Sequence, residues 1–301
     1  MNIVFMGTPD FAVPCLQRLI DMGETVTGVF TQPDKPKGRH GILTPPPVKE
    51  LAVKYDIPVY QPAKMRDGTA LEMLKEANPE LVIVVAYGKI LPPDFLSFPK
   101  YGCINIHASL LPLLRGAAPI QWSILNGFDK TGVTAMQMDD GLDTGDMLLS
   151  REIVITENMN AEELHDALSV MGADVMEETI GLLKEKKLNP VPQDHSKFTY
   201  ASMLSKELSP IDWSKTAQQI HNQIRGLYGW PCATAQLDGK AVKIHESRIA
   251  ELKGSAPGEI LEKEKRLVIA CGDGGSLEIL KIQPESKKAM TGAEFARGYL
   301  K

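Results

Sequence analysis

Residues 81–112 read LVIVVAYGKILPPDFLSFPKYGCINIHASLLP. Its first six residues, Leu81–Ala86, form an unbroken apolar run, and CINIH, Cys103–His107, reads as a second short strand. A strand with no polar alternation is one buried on both faces, as in a parallel sheet covered by helices. To either side, Ile3–Met6, Val26–Thr31 and Gly132–Met136 are further candidate strands. Phe11–Met22, Val48–Tyr55, Ala70–Ala77 and Ala118–Asn126 carry apolar residues at helical spacing. Strands alternating with helices predict βαβ units and an α/β domain with a parallel sheet. Thr8 before Pro9 predicts a helix start, with Thr as N-cap and Pro at the first helical position.

Residues 160–187 form a long helical pattern with a basic last turn, favourable at the negative end of the helix dipole. The polar stretch that follows, roughly 189–207, has few periodic signals and reads as a linker, with the boundary near 204. Beyond it one helix is expected over Lys215–Arg225. Short β-like runs follow at Ala233–Leu237, Ala241–Glu246, Gly258–Leu261, Leu267–Cys271 and Leu277–Gln283. Short strands at this spacing suggest a small OB-like barrel. The domain plan is therefore a Rossmann-like α/β domain over 1–189, a linker over 190–206 and a small OB-like β domain over 207–301.

Composition narrows the function. With 301 residues, 43% hydrophobic and 24% charged, the chain has the balance of an ordinary globular protein. It lacks a run near the roughly 20 apolar residues a membrane helix needs. Its start, MNIVFMGTPDF, has no secretory-signal pattern and reads as a first strand, so the expected compartment is the cytoplasm. The expected state, set apart from that signal, is a monomer. Cys15, Cys103, Cys232 and Cys271 are scattered without zinc spacing, which predicts reduced, buried thiols and no structural metal. The net charge of −5 does not advertise a nucleic-acid binder. Its distribution is uneven: residues 1–204 hold 18 Lys and Arg against 26 Asp and Glu, residues 205–301 hold 15 against 12. A mildly basic rear could meet a polyanion, or could be no more than solvated charge. After the first strand only Gly7 is present and no GxGxxG follows, which argues against a nicotinamide cofactor.

Ligands in open parallel sheets bind beyond the carboxyl ends of strands, so the end of Cys103–His107 is the first place to look. Asn105 and His107 are two apart and share one strand face. Burying an amide and an imidazole there requires hydrogen-bond partners, catalytic or purely structural. MDDGLDTGDM, residues 138–147, crowds Asp139, Asp140, Asp143 and Asp146 together but lacks the order of a calcium loop. It is either an acidic surface loop or, folded back beside His107, the source of an orienting carboxylate at Asp143. Asn105, His107 and Asp143 together would suit transfer of a formyl or other acyl group. Asn and protonated His would donate to the developing oxyanion, and the carboxylate would tune the imidazole and help strip the amine of protons. No covalent Ser or Cys is needed, and no GxSxG elbow is present.

INIHASLLPLLRGAAPIQW (104–122) and DDGLDTGDM resemble the signature segments of the folate-dependent formyltransferases. MGTPDFAVPCL, GVFTQPDKPKGR, VVAYGKILP, IDWSKTAQQIHNQIRGLYGWP and KKAM extend the resemblance along nearly the whole chain, towards the members that act on aminoacyl-tRNA. The resemblance implies that Asn105, His107 and Asp143 are the catalytic trio. It implies 10-formyltetrahydrofolate as formyl donor and the α-amine of methionine on initiator tRNA as acceptor. Ser109, Leu110, Leu111 and Pro112 are implied at the folate site, with Ala86, Tyr87, Gly88, Ile90 and Leu91 as the wall for the pteridine ring. Lys35, Lys37 and Arg39 are implied as tRNA contacts. Two departures stand out: the double lysine common in that loop is missing, and Leu113–Leu114 stands where an Arg-Trp pair is common. An α-amine has a pKa of about 7.7–8.0, lowered further by an adjacent ester, so much of it is unprotonated at neutral pH.

Three rivals share the formyl chemistry. A glycinamide ribonucleotide formyltransferase would lack the QPDKPKGR insertion and the second domain. A sugar-nucleotide formyltransferase, or the hydrolase part of formyltetrahydrofolate dehydrogenase, could carry a related second domain. A non-catalytic RNA-binding barrel would have no need of the trio, and aromatic residues for base stacking are sparse in the rear, mainly Tyr228, Trp230 and Tyr299.

Overall fold

The computed structural model describes residues 1–38 and 41–300. The chain divides into two compact units. One comprises residues 1–116, 132–153 and 165–200; the other comprises 117–131, 154–164 and the residues from 201 onward.

Through the first half the elements run β1 (Asn2–Gly7), α1 (Val13–Asp21), β2 (Thr25–Phe30), β3 (Lys35–Lys37), β4 (Ile42–Thr44), α2 (Pro47–Lys54), β5 (Val59–Tyr60), α3 (Thr69–Ala77), β6 (Leu81–Val85), α4 (Pro93–Leu96) and β7 (Cys103–His107). There follow β8 (Arg115–Gly116), α5 (Pro119–Leu125), β9 (Lys130–Gln137), β10 (Met147–Val154), α6 (Ala161–Lys184) and β11 (Tyr200–Ala201). The last third holds α7 (Ala217–Gly226), β12 (Ala233–Leu237), β13 (Lys240–Ala250), β14 (Ile260–Glu262), β15 (Leu267–Ala270), β16 (Ser276–Pro284), β17 (Met290–Thr291) and α8 (Gly292–Tyr299).

The first unit is built on a seven-stranded sheet in the order β10-β9-β7-β6-β1-β2-β5. From β5 to β7 the pairings are parallel. The apolar runs explain this: every residue of β6 is buried, as its unbroken hydrophobicity demands. Val4, Met6, Phe30, Leu74, Val82, Val84, Phe95 and Cys103 form one continuous core between the sheet and α3 and α4. On the opposite face Gly172 of α6 sits against Ile106 and Cys15, where a Cβ would lie 3.3 Å from the Ile106 side chain. Alternate residues of β7 are thereby assigned: Ile106 faces α6, while Cys103, Asn105 and His107 share the other side.

Two details depart from expectation. The strand expected at Gly132–Met136 runs antiparallel to β7, pairing Asn105 with Met136 and His107 with Thr134. Thr8 caps no helix: its hydroxyl donates to Tyr87 O (3.2 Å) and accepts from the Gln32 N–H (3.2 Å). Pro9 heads a short 3-10 turn, and the α-helix starts only at Val13, with Pro14 early in it. All four cysteines are free and buried, as their scatter predicted.

In the second unit β12 to β17 form an antiparallel sheet, the OB-like part of the fold, ordered β12-β13-β16-β15-β14 with β17 on β16. Ile220 and Ile224 of α7 and Phe295 of α8 close its core with Ile244, Ile269, Leu277 and Ile279. Helix α8 adds to the expected elements, and TGAE at 291–294 is its capping-box pattern; Thr291 and Glu294 satisfy each other's backbone N–H groups.

Helix α7 buries polar groups as well. The Arg225 guanidinium donates to Asn222 Oδ1 (2.8 and 3.0 Å) and to the Met159 carbonyl (3.0 Å). His221, 1% exposed, meets the Glu157 carbonyl through Nε2 (3.0 Å) and Ser247 Oγ through Nδ1 (2.9 Å). A carbonyl only accepts, so Nε2 carries the hydrogen and Nδ1 accepts from the serine hydroxyl. Burial holds this imidazole below its ordinary pKa near 6.5. Below that pH the unfolded chain takes up a proton that the folded chain refuses, so His221 weakens stability as pH falls from about 6.5 towards the folded value. For one proton the slope is at most about 1.4 kcal/mol per pH unit. A His221→Gln variant should show a shallower fall in denaturation midpoint over this window; an unchanged slope would exclude His221 as its source.

Candidate active site

Asn105 and His107 lie at the carboxyl end of the parallel strands, with Asn105 opposite Val84 of β6. His107 is 6% exposed, and its Nε2 lies 3.0 Å from the Leu114 carbonyl. Since that oxygen can only accept, Nε2 carries its hydrogen and Nδ1 is the nitrogen turned towards Asp143.

The Leu114 carbonyl is placed by the turn that follows β7. Ser109 Oγ donates to Leu113 O (2.6 Å), and the Leu111 N–H donates to Thr134 Oγ1 (3.2 Å). Thr134 Oγ1 in turn donates to Ser109 O (2.7 Å). Leu114 then takes a left-handed conformation, φ +58°, with its N–H given to Thr199 Oγ1 (2.9 Å). The Leu111–Pro112 peptide is cis.

Asp143 arrives from the turn between β9 and β10. Its Oδ2 accepts the Gly116 N–H at 2.8 Å and lies 3.8 Å from His107 Nδ1. Its Oδ1 is 3.4 Å from Asn105 Nδ2. Of the four acidic residues in this turn, Asp139 spends Oδ1 on the Gly141 N–H and the Thr144 hydroxyl. Asp140 and Asp146 are exposed, so Asp143 alone among them meets Asn105 and His107. Cys103 shares the face of Asn105, but burial pushes its thiol up to about 12, which keeps it protonated and a poor nucleophile.

The other anticipated residues divide by exposure. Ala86 (φ +48°) and Gly88 (φ +79°) turn the chain as it leaves β6, and both are exposed. Tyr87 between them is buried, its hydroxyl directed at Met65 Sδ and pushed up to about 12 by burial. Gln32 Nε2 ties this turn through the Tyr87 and Gly88 carbonyls (3.1 and 3.2 Å). Ile90 is 66% exposed, whereas Leu91 is buried. Ser109 and Leu111 are buried and Leu110 and Pro112 half-buried, so any contact of Ser109 with a ligand would compete with its bond to Leu113.

Lys35 and Lys37 belong to β3, which pairs with β4 as a hairpin. Lys35 is exposed; Arg39 lies outside the described residues. Lys89 donates to the Pro62 and Ala63 carbonyls (2.7 and 2.9 Å), and burial, then the charge of Lys35, depresses its pKa. The hairpin thus brings Lys35 within electrostatic reach of the turn after β6. Among the described residues no group of three or more His, Cys, Asp or Glu could hold a metal ion, and no helix is long and apolar enough to cross a membrane.

One residue near Asp143 carries no clear sequence signature. Gln193, 4% exposed, donates from Nε2 to the Asp143 and Gly145 carbonyls (2.9 and 2.8 Å). Its Oε1 accepts from Arg115 Nε and Nη2 (3.0 and 2.7 Å). The only sequence signal is a polar residue between two prolines and an Asp in PVPQD.

Residues 1–180 match the family model described as Formyl transferase, and residues 203–300 match that of the formyl transferase C-terminal domain. The chain is 50% identical over 298 residues to the methionyl-tRNA formyltransferase of Pelobacter propionicus, covering 99% of this chain and 93% of that one. It is 47% identical over 299 residues to the methionyl-tRNA formyltransferase of Clostridioides difficile, covering 99% and 97%. Among solved structures, it resembles the N-formyltransferase from Helicobacter canadensis in complex with folinic acid and dTDP-3-aminofucose. There the TM-score is 0.73 at 21% identity, covering 94% of this chain and 98% of that one, a likeness of fold.

Proposed function

The chain belongs to the formyl transferase family, and we propose on that footing that it transfers the formyl group of 10-formyltetrahydrofolate to the α-amine of methionine on initiator tRNA. The observation that carries the chemistry is the meeting of Asn105, His107 and Asp143 at the end of β7. Near 50% identity along both matched segments favours a charged-tRNA acceptor over the sugar nucleotides of structures only 21% identical. The finer assignments are part of the same proposal: catalytic domain 1–189, linker 190–206 and tRNA-binding segment 207–301, acting as a cytoplasmic monomer.

The donor set fits a formyl carbonyl. Asn105 Nδ2 has two hydrogens, and its contact with Asp143 engages one. The other is free to donate to the formyl oxygen as charge grows there. The exposed turn at Ala86 and Gly88, with Ile90 beside it, offers backbone polar groups and an apolar surface where the folate ring would lie. Bound there, the folate supplies a formyl group on a nitrogen able to leave.

Protonated at Nδ1, His107 donates to the same oxygen and holds a proton for the leaving nitrogen. Asp143 keeps the ring turned and accepts the proton released as the amine lone pair forms the new C–N bond. One proton leaves the amine and one reaches the departing nitrogen, so no net charge is created. The purified protein, offered 10-formyltetrahydrofolate with charged initiator tRNA, charged elongator tRNA, glycinamide ribonucleotide or an amino-sugar nucleotide, should release folate rapidly only with the first. Turnover confined to a small acceptor would overturn the reading.

Lys35 and Lys37, with Arg39, would meet the tRNA backbone. A Lys35→Ala, Lys37→Ala double variant should raise KM for tRNA about tenfold at low salt, flatten its dependence on log salt, and leave KM for the folate unchanged. An unaltered KM for tRNA would remove the hairpin from the tRNA site.

A further inference from the structure

The stretch that reads as a linker folds as a strap. Val191 pairs with Met147 through two 2.9 Å backbone hydrogen bonds, which seats the chain beside the turn between β9 and β10. Two residues later the Gln193 amide is buried with every hydrogen-bonding position used. Its oxygen accepts twice from Arg115, and its nitrogen donates to the Asp143 and Gly145 carbonyls. A buried amide spanning two chain segments fixes their separation, because withdrawing either segment leaves unpaired polar groups.

Both ends of this bridge lead to the Asp143 carboxylate. One end holds the backbone of Asp143 itself, in a left-handed conformation (φ +53°) that a non-glycine residue rarely adopts. The other holds Arg115, whose neighbour Gly116 donates the 2.8 Å hydrogen bond to Asp143 Oδ2. Arg115 is 5% exposed, and its guanidinium also meets His195 Nδ1 (3.3 Å) and the face of Phe198, both further along the strap.

We propose that Gln193 is a positioning residue for Asp143: it locks the turn 143–145 to Arg115 and so aims the carboxylate at Asn105 and His107. This rests on the assignment of Asp143 to formyl transfer. Gln193 touches no reactant; it acts by setting where one carboxylate stands. A displacement of about 1 Å in such a group can lower a rate by about two orders of magnitude.

Gln193→Glu is the sharpest test. It preserves shape and leaves the one oxygen that accepts twice from Arg115, but removes both donors and sets the second carboxylate oxygen against two carbonyls. Wild-type turnover is measured first, with whichever acceptor the protein uses, so failure of the functional assignment is seen separately. Gln193→Glu should then lower kcat roughly 30-fold with KM for both substrates within about twofold. On an Asp143→Asn background it should cause no further loss, since its effect passes through that carboxylate. Amide exchange at Gly116 should quicken, a readout independent of turnover. Lys197→Ala, which breaks an exposed pair with Asp194 on the same strap, should leave kcat unchanged. An unchanged kcat in Gln193→Glu, a full additional loss on the Asp143→Asn background, or an equal loss in Lys197→Ala would each overturn the proposal.

Discussion

Replacing Asp143 by Asn is expected to lower kcat by about a thousandfold, within the range typical of a lost general base, while the protein still folds. The substitution is nearly isosteric, and the amide oxygen can still accept the Gly116 N–H now held at 2.8 Å. Its NH2 group would then face Asn105 Nδ2, at present 3.4 Å from an acceptor oxygen, so two donors would oppose each other. The carboxylate 3.8 Å from His107 Nδ1 would be gone, and with it the acceptor for the amine proton. His107→Ala should lose turnover on a similar scale and leave the Leu114 carbonyl without its partner at 3.0 Å. Single-turnover rates with saturating folate and acceptor, read beside thermal melts, separate chemistry from folding. A wild-type rate in either variant would sink the mechanism.

Gly145→Ala is expected to be among the most damaging single-methyl additions in the first unit, at about 3–5 kcal/mol of stability. A Cβ there would lie 1.8 Å from the Gln137 carbonyl oxygen and 3.0 Å from its carbon. Backbone cannot swing aside as a side chain can, and the Gln137 N–H is already bound to Asp146 O at 2.9 Å. The turn must open, carrying Asp143 with it, so kcat should fall together with the denaturation midpoint. Gly181→Ala is the contrasting case: it lies within α6 with nothing within 4 Å of the added carbon. There alanine should stabilise by roughly 0.5–1 kcal/mol through helix propensity. Equal midpoints for the two variants would show that the turn tolerates what its geometry forbids.

Patterns local to the chain are legible in the order of residues alone. The apolar runs of β1, β6 and β7, the helical spacing of α2 and α3 and the shared face of Asn105 and His107 follow from periods of 2 and 3.6 residues. The buried thiols and the OB-like strand series in the second unit belong to the same class. Resemblance already singles out Asp143 from four aspartates; tertiary structure alone set its carboxylate beside Asn105 and His107, turned Nε2 of His107 to Leu114 and made a strap of PVPQD. It also set β9 antiparallel and left Thr8 without a helix to cap. Periodicity is a property of neighbouring residues and is written in their order. The Asn105–Asp143 and Arg115–Gln193 contacts join residues 38 and 78 positions apart, and such partners exist only once the chain has returned on itself. The trio's residue types could therefore be read from INIH and the aspartate turn, but their meeting, and the amide that aims the carboxylate, belong to the folded chain.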